Sequence, residues 1–151
     1  MKRIASFEVD HRTITEGMYI SRIDGDVVTY DLRMRIPNQP DLLSHGQMHS
    51  LEHLFATFVR NSRLKDQVIY FGPMGCQTGF YLLMRHSDHG DNLALVKETM
   101  LAISTYEGEM PGNSEIECGN YRSLDVALAT ETAKRYYEAI KDKTIEDMRY
   151  V

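Results

Sequence analysis

Two histidines and a glutamate fall within five consecutive positions, as His49, Glu52 and His53. Residues four apart on a helix lie one turn apart on the same face. At about 100° per residue, these three side chains share one side of a helix and Leu51 and Phe55 lie on the other. Two neutral imidazoles so placed suit zinc, iron and related ions. A glutamate beside them can act as a general acid or base without being a ligand. The alternative is an ordinary helix whose polar face meets water.

A catalytic metal site of this kind needs a third protein ligand and a position open to substrate. Cys118, in the stretch EIECGNYRS, precedes the last predicted helix in a glycine-containing loop. Its thiolate would complete a site with two histidines and one cysteine. The alternative for Cys118 is a small buried hydrophobic residue. The spacing H-x-x-E-H also occurs in metallopeptidases, so a peptidase is the first class that the helix alone suggests.

The second cysteine, Cys76, lies in PMGCQTG, a stretch dense in turn-forming residues. Such a loop predicts a tight turn that presents the thiol. Thiolates are the reactive form of cysteine, and a nearby cation or metal favours them. The alternative is an inert cysteine in a turn between two strands. We expect the two cysteines to act separately, since a disulfide is not expected in a reducing cytosol.

The segments around these residues predict both strands and helices. Strand patterns occupy a hairpin, Met18–Ile36, which turns at Asp24-Gly25, and also Gln67–Phe71, Gly79–His86 and the N-terminal stretch IASFEV. Helical spacing begins near Gln47, near Asp91 as a cap and near Ser123. These patterns predict an α+β fold, a single domain over residues 1–151 with a mainly antiparallel sheet and helices packed on one face.

Composition narrows the classes of partner. Of the 151 residues, 42% are hydrophobic and 26% charged, which is typical of a soluble globular protein. A formal charge of −5 without a basic block argues against nucleic acid and anionic membrane surfaces as partners. No apolar run approaches the ~18 residues of a membrane span. The N-terminal MKRIASFEVD lacks the apolar run of a signal peptide, so we expect a cytoplasmic protein.

Four motifs carry a family resemblance when they are taken together: SFEVDH, HSLEH, PMGCQTGFYL and ECG. In order and spacing they resemble the S-ribosylhomocysteine lyase family, also called LuxS or autoinducer-2 synthase, from Ser6 to the last helix. The resemblance implies a homodimeric α+β enzyme with active sites at the subunit interface. It also implies cleavage of S-ribosylhomocysteine to homocysteine and 4,5-dihydroxy-2,3-pentanedione, the precursor of autoinducer-2.

The resemblance also implies roles for individual residues. One divalent metal ion per subunit is implied, Fe²⁺ in the native enzyme, with Zn²⁺ or Co²⁺ able to replace it. The implied metal ligands are His49, His53 and Cys118, the implied acid/base residues are Cys76 and Glu52, and the implied substrate contacts are Ser6, His11 and Arg33.

The implied reaction moves the sugar carbonyl through enediolates and then eliminates the thiol in the β position. Cys76 is our choice for the carbon protons, and Glu52 for the hydroxyl protons and the final C4 proton. Arg33 would bind the substrate's carboxylate as a bidentate pair. Without the resemblance, a solvent-exposed strand arginine would be the better interpretation of Arg33.

The chain also departs from the family pattern, and two other classes of protein remain open. Departures occur at Arg35-Ile36-Pro37-Asn38 and at Tyr70, Phe71 and Gly72, and we expect them to affect recognition of the homocysteine end. One rival class is a metal hydrolase in which Glu52 activates water. The other is a metal-sensing or structural-metal module in which Cys76 is a fourth ligand.

Overall fold

A four-stranded antiparallel sheet forms the centre of the computed structural model, which describes residues 1–86 and 88–150. Its strands lie in the order β1-β2-β4-β3. Leu32 on β2 is opposite both Met18 on β1 and Phe80 on β4, which fixes the register of the three strands. The strands are β1 (Gly17–Asp24), β2 (Val27–Arg33), β3 (Val68–Pro73) and β4 (Gly79–Arg85).

In the part of the chain that the structure describes, four α-helices and three short 3₁₀ turns accompany the sheet. The helices are α1 (Ala5–Glu8), α2 (His45–Val59), α3 (His89–Ser104) and α4 (Val126–Ile140). The 3₁₀ turns are Lys65–Gln67, Tyr121–Ser123 and Ile145–Met148. Within the described ranges no helix has the length and apolar character needed to cross a bilayer. The predicted α+β class and the single domain are confirmed.

The three long helices cover one face of the sheet. Alternate strand residues point to this face, and Leu32 and Phe80 are fully buried there. Phe55 of α2 stacks on Phe71 of β3 at 4.1 Å between ring centroids, and Phe71 stacks on Phe80 of β4 at 4.6 Å. Helix α2 is thereby fixed against the edge of the sheet formed by β3. The prediction of helices on one face is confirmed for these three.

The opposite face, which we call the outer face, carries polar residues on β2 and is closed to solvent in part. Asp31 and Arg33 of β2 point to it, yet they are only 0% and 3% exposed. Tyr150, near the C-terminus, stacks on Tyr19 of β1 at 5.0 Å and donates a hydrogen bond of 2.7 Å to Asp31. The interpretation of Arg33 as a solvent-exposed strand arginine is therefore wrong, because the C-terminal segment packs over this part of the strand.

The N-terminal stretch forms a helix rather than the expected strand. Residues Ala5–Glu8 make the short helix α1, and Phe7 in it is 64% exposed. Six residues are too few for an alternating pattern to separate a strand from a helix. Strand β2 also ends at Arg33, short of the predicted Ile36. The main-chain N–H groups of residues 34 and 35 both donate to the carbonyl oxygen of Thr78 instead of continuing the ladder.

All three long helices start at other positions than predicted, and α2 begins at His45 rather than near Gln47. The side chain of Asp88, not Asp91, caps α3 by accepting a hydrogen bond from the N–H of Asp91 at 2.9 Å. Helix α4 begins after Asp125, whose carboxylate accepts from the N–H of Ala127, while Ser123 belongs to the preceding 3₁₀ turn. In both places several capping residues stand close together in the sequence, so composition alone did not select one.

Candidate metal centre and proton-transfer groups

Helix α2 begins one turn before His49, at a reciprocal cap. The Ser44 hydroxyl accepts from the N–H of Gln47 at 3.1 Å, and the Gln47 side chain accepts from the N–H of Ser44 at 2.8 Å. This capping box satisfies two main-chain donors that a helix start leaves unpaired. It fixes where α2 starts and therefore which side chains point away from its buried face.

Three side chains from distant parts of the chain converge beside α2. The Sγ atom of Cys118 lies 3.4 Å from Nε2 of His49 and 3.7 Å from Nε2 of His53. The three potential donor atoms all lie within 4.8 Å of one another. Two imidazole nitrogens and one thiolate sulfur are a donor set that suits zinc and iron. The structure thus brings together the three residues that the sequence singled out as ligands.

The other ring nitrogen of each histidine is held by a neutral oxygen. His53 Nδ1 lies 2.8 Å from the carbonyl oxygen of Pro111, and His49 Nδ1 lies 2.6 Å from the hydroxyl of Ser123. A carbonyl can only accept, so His53 donates from Nδ1 and keeps the lone pair of Nε2 free for a metal. Burial lowers the pKa of His49, and the neighbouring His53 and His45 lower it further. That favours the neutral imidazole, which is the form that binds metals.

The loop that follows α3 approaches His53 closely through a glycine. Gly112 has φ +70°, in the left-handed region, and a Cβ built on it would lie 3.0 Å from His53 Nδ1. Both the conformation and the close approach require glycine here. Sequence reasoning missed Pro111, Gly112 and Ser123 as partners of the histidines. The Pro111 contact uses a main-chain oxygen, which leaves no signal in residue type.

Glu52 lies on the same face of α2, half-buried, at the wall of a cleft of about 380 Å³. The cleft is also lined by His53, Tyr70 and Phe71. Burial raises the pKa of the Glu52 carboxyl, and the neighbouring His53 opposes part of this rise. A carboxyl with a raised pKa can both give and take a proton more readily near neutral pH. Its position agrees with that expected from the helical wheel.

Cys76 lies in an exposed turn between β3 and β4, as the turn-forming residues predicted. Its Sγ atom is 3.0 Å from the hydroxyl oxygen of Thr78. That oxygen accepts a hydrogen bond of 2.8 Å from Nη1 of Arg33. Since Arg33 can only donate, the hydroxyl hydrogen of Thr78 remains available to donate to the sulfur. Such a donor stabilises a thiolate.

Arg33 is held by a buried ion pair. Its Nε and Nη2 atoms donate to the two oxygens of Asp31 at 3.1 and 2.6 Å. Burial by itself would lower the pKa of Arg33, but the adjacent Asp31 carboxylate outweighs it, and the pKa is raised overall. The edge of the guanidinium that could bind a substrate carboxylate through Nε and Nη2 is therefore occupied. One N–H on each of Nη1 and Nη2 remains.

The other two predicted substrate contacts lie near the N-terminus. Ser6, in α1, lines a cleft of about 180 Å³ together with Thr29 and Tyr81, both on the outer face of the sheet. His11 lies in the turn that follows α1, and its Nδ1 is 2.8 Å from the carbonyl oxygen of Val9. Ser6 is thus on the same side of the sheet as Arg33.

The site residues form two groups on different sides of the sheet. The metal group comprises His49, His53, Cys118 and Glu52, on α2 and the loop before α4. The thiol group comprises Cys76, Thr78, Arg33 and Asp31, on the outer face. Within residues 1–86 and 88–150, the cluster of potential metal ligands contains His49, His53 and Cys118 and does not include Cys76. A site in which the same chain's Cys76 is a fourth ligand is therefore wrong.

Comparison with known proteins agrees with the motifs. The model of the family described as "S-Ribosylhomocysteinase (LuxS)" matches residues 4–147. An S-ribosylhomocysteine lyase of Finegoldia magna is 41% identical over 99% of this chain and 99% of its own length. Those of Desulfotalea psychrophila and Borreliella burgdorferi are 41% and 34% identical, covering 97% and 99% of this chain and 96% and 99% of their own lengths. The chain therefore belongs to the S-ribosylhomocysteinase (LuxS) family.

Proposed function

We propose that this protein is a metal-dependent carbon–sulfur lyase that cleaves S-ribosylhomocysteine to homocysteine and 4,5-dihydroxy-2,3-pentanedione. The observation that carries the proposal is the convergence of His49, His53 and Cys118 beside Glu52, in a member of this family. A hydrolase that uses the same helix would give Cys76 no role. Nothing in the thiol group is needed to activate water.

The donor set fits a divalent metal ion. Both imidazoles point Nε2 at the Cys118 sulfur, and a neutral oxygen faces each Nδ1. We propose Fe²⁺ as the native ion, with Zn²⁺ or Co²⁺ able to replace it. When bound, the ion would act as a Lewis acid and stabilise negative charge that develops on the sugar oxygens.

The substrate dictates what the protein side chains must do. A carbon–sulfur bond breaks readily when it is β to a carbonyl and the carbon between them loses a proton. The sugar carbonyl begins at C1, too far from the sulfur, so it must move to C2 and then C3. Each move takes a proton from one carbon and returns one to its neighbour. In the last step C4 loses its proton, a C4–C5 double bond forms, and the C5–S bond breaks. The leaving thiolate takes up a proton to give homocysteine, and the enol left at C4 tautomerises, with a proton added at C5, to 4,5-dihydroxy-2,3-pentanedione.

Two side chains are proposed to move these protons. Cys76, with Thr78 as a hydroxyl donor at 3.0 Å, would act as a thiolate on the carbon protons. Glu52, with its raised pKa, would move hydroxyl protons and take the C4 proton in the elimination. Both roles need groups that change protonation state during each turnover.

Ser6, His11 and Arg33 are proposed as substrate contacts. Arg33 would use the N–H groups left free by Asp31, because its other edge is already paired. Departures from the family pattern at Tyr70, Phe71 and Gly72 lie on β3, and the first two line the cleft beside Glu52. We expect them to change how the homocysteine end is held.

A homodimer is proposed because one chain holds the metal group and the thiol group on different sides of its sheet. Helix α2 packs on the apolar face through Phe55, while the contacts of Cys76 lead to Arg33 on the outer face. Glu52 and Cys76 must reach the same sugar. A second chain that supplies its thiol group to the metal group of the first would complete the site, and two-fold symmetry would form two such sites.

The proposal is tested with protein purified without oxygen and loaded with Fe²⁺ or Co²⁺. Incubation with S-ribosylhomocysteine should release homocysteine, detected as a new thiol by a chromogenic reagent after the protein is removed. A Glu52→Gln variant, loaded with the same ion, is the matched control and should release little. If the loaded wild-type protein releases no homocysteine, the proposed function is wrong. A cytoplasmic location stays a prediction from the sequence.

A further inference from the structure

The hydroxyl of Ser123 lies between a proposed metal ligand and the loop that carries another. Its Oγ atom is 2.6 Å from Nδ1 of His49 and 3.1 Å from the carbonyl oxygen of Asn120. Ser123 is half-buried in the 3₁₀ turn ahead of α4. Ser123 has no role in the proton transfers proposed for Cys76 and Glu52.

The directions of these hydrogen bonds follow from counting hydrogens. A serine hydroxyl has a single hydrogen, and the Asn120 carbonyl oxygen can only accept. The hydroxyl therefore donates to Asn120, and its oxygen accepts from Nδ1–H of His49. That arrangement selects the tautomer of His49 in which Nε2 carries the lone pair. Nε2 is the nitrogen that faces the Cys118 sulfur at 3.4 Å.

The same short segment also reaches the thiol. The main-chain N–H of Asn120 lies 3.5 Å from the Sγ atom of Cys118, in position to donate to it. Asn120 thus contacts Ser123 through its carbonyl and Cys118 through its amide. Ser123 connects these contacts to α2 through its hydrogen bond with His49. The residue that sets the His49 ring also holds the loop that brings Cys118 to it.

His53 gives the contrast within the same centre. Its Nδ1 partner is the main-chain oxygen of Pro111, which a side-chain substitution does not remove. His49 depends instead on a single side-chain hydroxyl. A hydrogen-bond partner of the ring nitrogen that does not bind metal fixes the tautomer and orientation of a metal-binding histidine.

We infer that Ser123 is a positioning residue of the metal centre, which holds His49 in the Nδ1–H tautomer and joins it to the Cys118 loop before metal binds. The inference rests on the proposed function, because it takes His49 and Cys118 as ligands. The proposed role of Ser123 predicts effects on the affinity for metal and on the coordination geometry of the bound ion. A serine that served only to cap the 3₁₀ turn would affect folding and leave metal affinity and coordination geometry unchanged.

The test compares Zn²⁺ affinity in wild-type, Ser123→Ala and Ser123→Thr proteins, by competition with a chromogenic chelator. Loss of an outer partner of a ligating histidine typically weakens metal binding roughly 10- to 100-fold, and we expect this for Ser123→Ala. Ser123→Thr keeps the hydroxyl and should restore most of the affinity. Ser104→Ala is the matched control, since that hydroxyl donates to Leu101 within α3, and it should bind as wild type does.

Two further readouts keep the inference testable if Ser123→Ala folds poorly. The absorption of Co²⁺-loaded Ser123→Ala should differ from that of wild type in its ligand-field bands. In metal-free wild-type protein, the ¹⁵N shifts of His49 should report a protonated Nδ1 and an unprotonated Nε2. The opposite tautomer would overturn the inference, whatever the variant does.

The outcomes separate the inference from the function on which it rests. If wild type binds Zn²⁺ and Ser123→Ala binds it equally tightly, the positioning role is wrong and the lyase proposal stands. If wild type itself binds no Zn²⁺, Co²⁺ or Fe²⁺, both are wrong. Weakened binding in Ser123→Ala that Ser123→Thr restores supports the inference.

Discussion

The metal group and the thiol group are built in different ways. The metal group joins one face of α2 to a loop that is 65 residues further along the chain from His53, and its histidines are held by a hydroxyl and a carbonyl. The thiol group joins β2 to the turn between β3 and β4, and its centre is the buried ion pair of Arg33 with Asp31. Neutral partners surround the proposed ligands, whereas charged partners surround the residues next to Cys76.

This difference indicates separate tasks for the two groups. Neutral imidazoles with free Nε2 lone pairs suit cation binding, and a charged partner is not needed to hold them. The hydrogen bonds from Arg33 to Thr78 and from Thr78 to Cys76 instead suit a sulfur that acts as an anion. Variants of the metal group should therefore lose metal, whereas variants of the thiol group should lose turnover and keep metal.

Loss of the Cys118 thiolate should abolish stable metal binding. Cys118→Ala removes one of the three proposed ligands, so the effect should exceed the roughly 100-fold weakening caused by loss of an outer partner. Elemental analysis after dialysis should find little metal. Cys76→Ala is the control and should retain metal as wild type does. A stoichiometric ion in Cys118→Ala would show that this cysteine is not a needed ligand.

Loss of the Cys76 thiol should abolish turnover while metal remains. A positioned acid or base typically contributes roughly 10²- to 10⁴-fold to the rate, and we expect Cys76→Ala to lose at least that much activity. The measurement is homocysteine release by protein with a verified metal content. Near-normal activity in this variant would exclude the proposed role in proton transfer.

A side chain at residue 112 should disturb the metal group without touching a ligand. Gly112→Ala places a methyl group about 3.0 Å from His53 Nδ1 and forces alanine into the left-handed region. We expect a loss of about 1–2 kcal/mol in the free energy of unfolding from the conformation alone, with weaker Zn²⁺ binding. Urea denaturation and chelator competition measure the two effects. Gly25→Ala, at a φ of +62° in the β1–β2 turn, is the control and should lose stability only. Unchanged Zn²⁺ affinity in Gly112→Ala would argue against a role of this loop in placing His53.

A smaller effect is expected on how the stability of the metal-free protein depends on pH. Burial raises the pKa of Glu52, so its ionised form is disfavoured in the folded state. The folded protein should therefore lose stability as pH rises through this pKa, and Glu52→Gln should not. Because Glu52 is half-buried, we expect a difference of a few tenths of a kcal/mol. Melting temperatures of both proteins from about pH 4 to about pH 8 should diverge towards high pH. A gap that narrows with rising pH would contradict the assigned direction.

Local patterns predicted most of the fold. The Asp24-Gly25 turn, the alternation along β2 and the helical spacing around His49 each agree with the structure, because each depends on residues near one another in sequence. The burial of Arg33 did not follow from its strand pattern. It depends on Asp31 in the same strand and on Tyr150, which is 119 residues away from Asp31. Local periodicity does not predict contacts between segments that are distant in the sequence.

The candidate site shows the same limit. Residue type and spacing identified His49, Glu52, His53, Cys76 and Cys118, because metal and acid–base chemistry restrict which side chains can serve. The partners Pro111 and Ser123 could not be found in this way, since a carbonyl oxygen or a single hydroxyl occurs everywhere in a sequence. The metal group and the thiol group lie on different sides of the sheet, and this could be learned only from the path that the chain takes around it.

The pairing of the two groups between chains is tested most directly by mixing two inactive variants. Cys76→Ala and Glu52→Gln carry different affinity tags, are produced together, and the mixed dimers are isolated through both tags. If each site takes Glu52 from one chain and Cys76 from the other, one site of a mixed dimer is intact, and it should show about half of wild-type activity. Activity no greater than that of the separate variants would place both residues in the same chain and contradict the shared site.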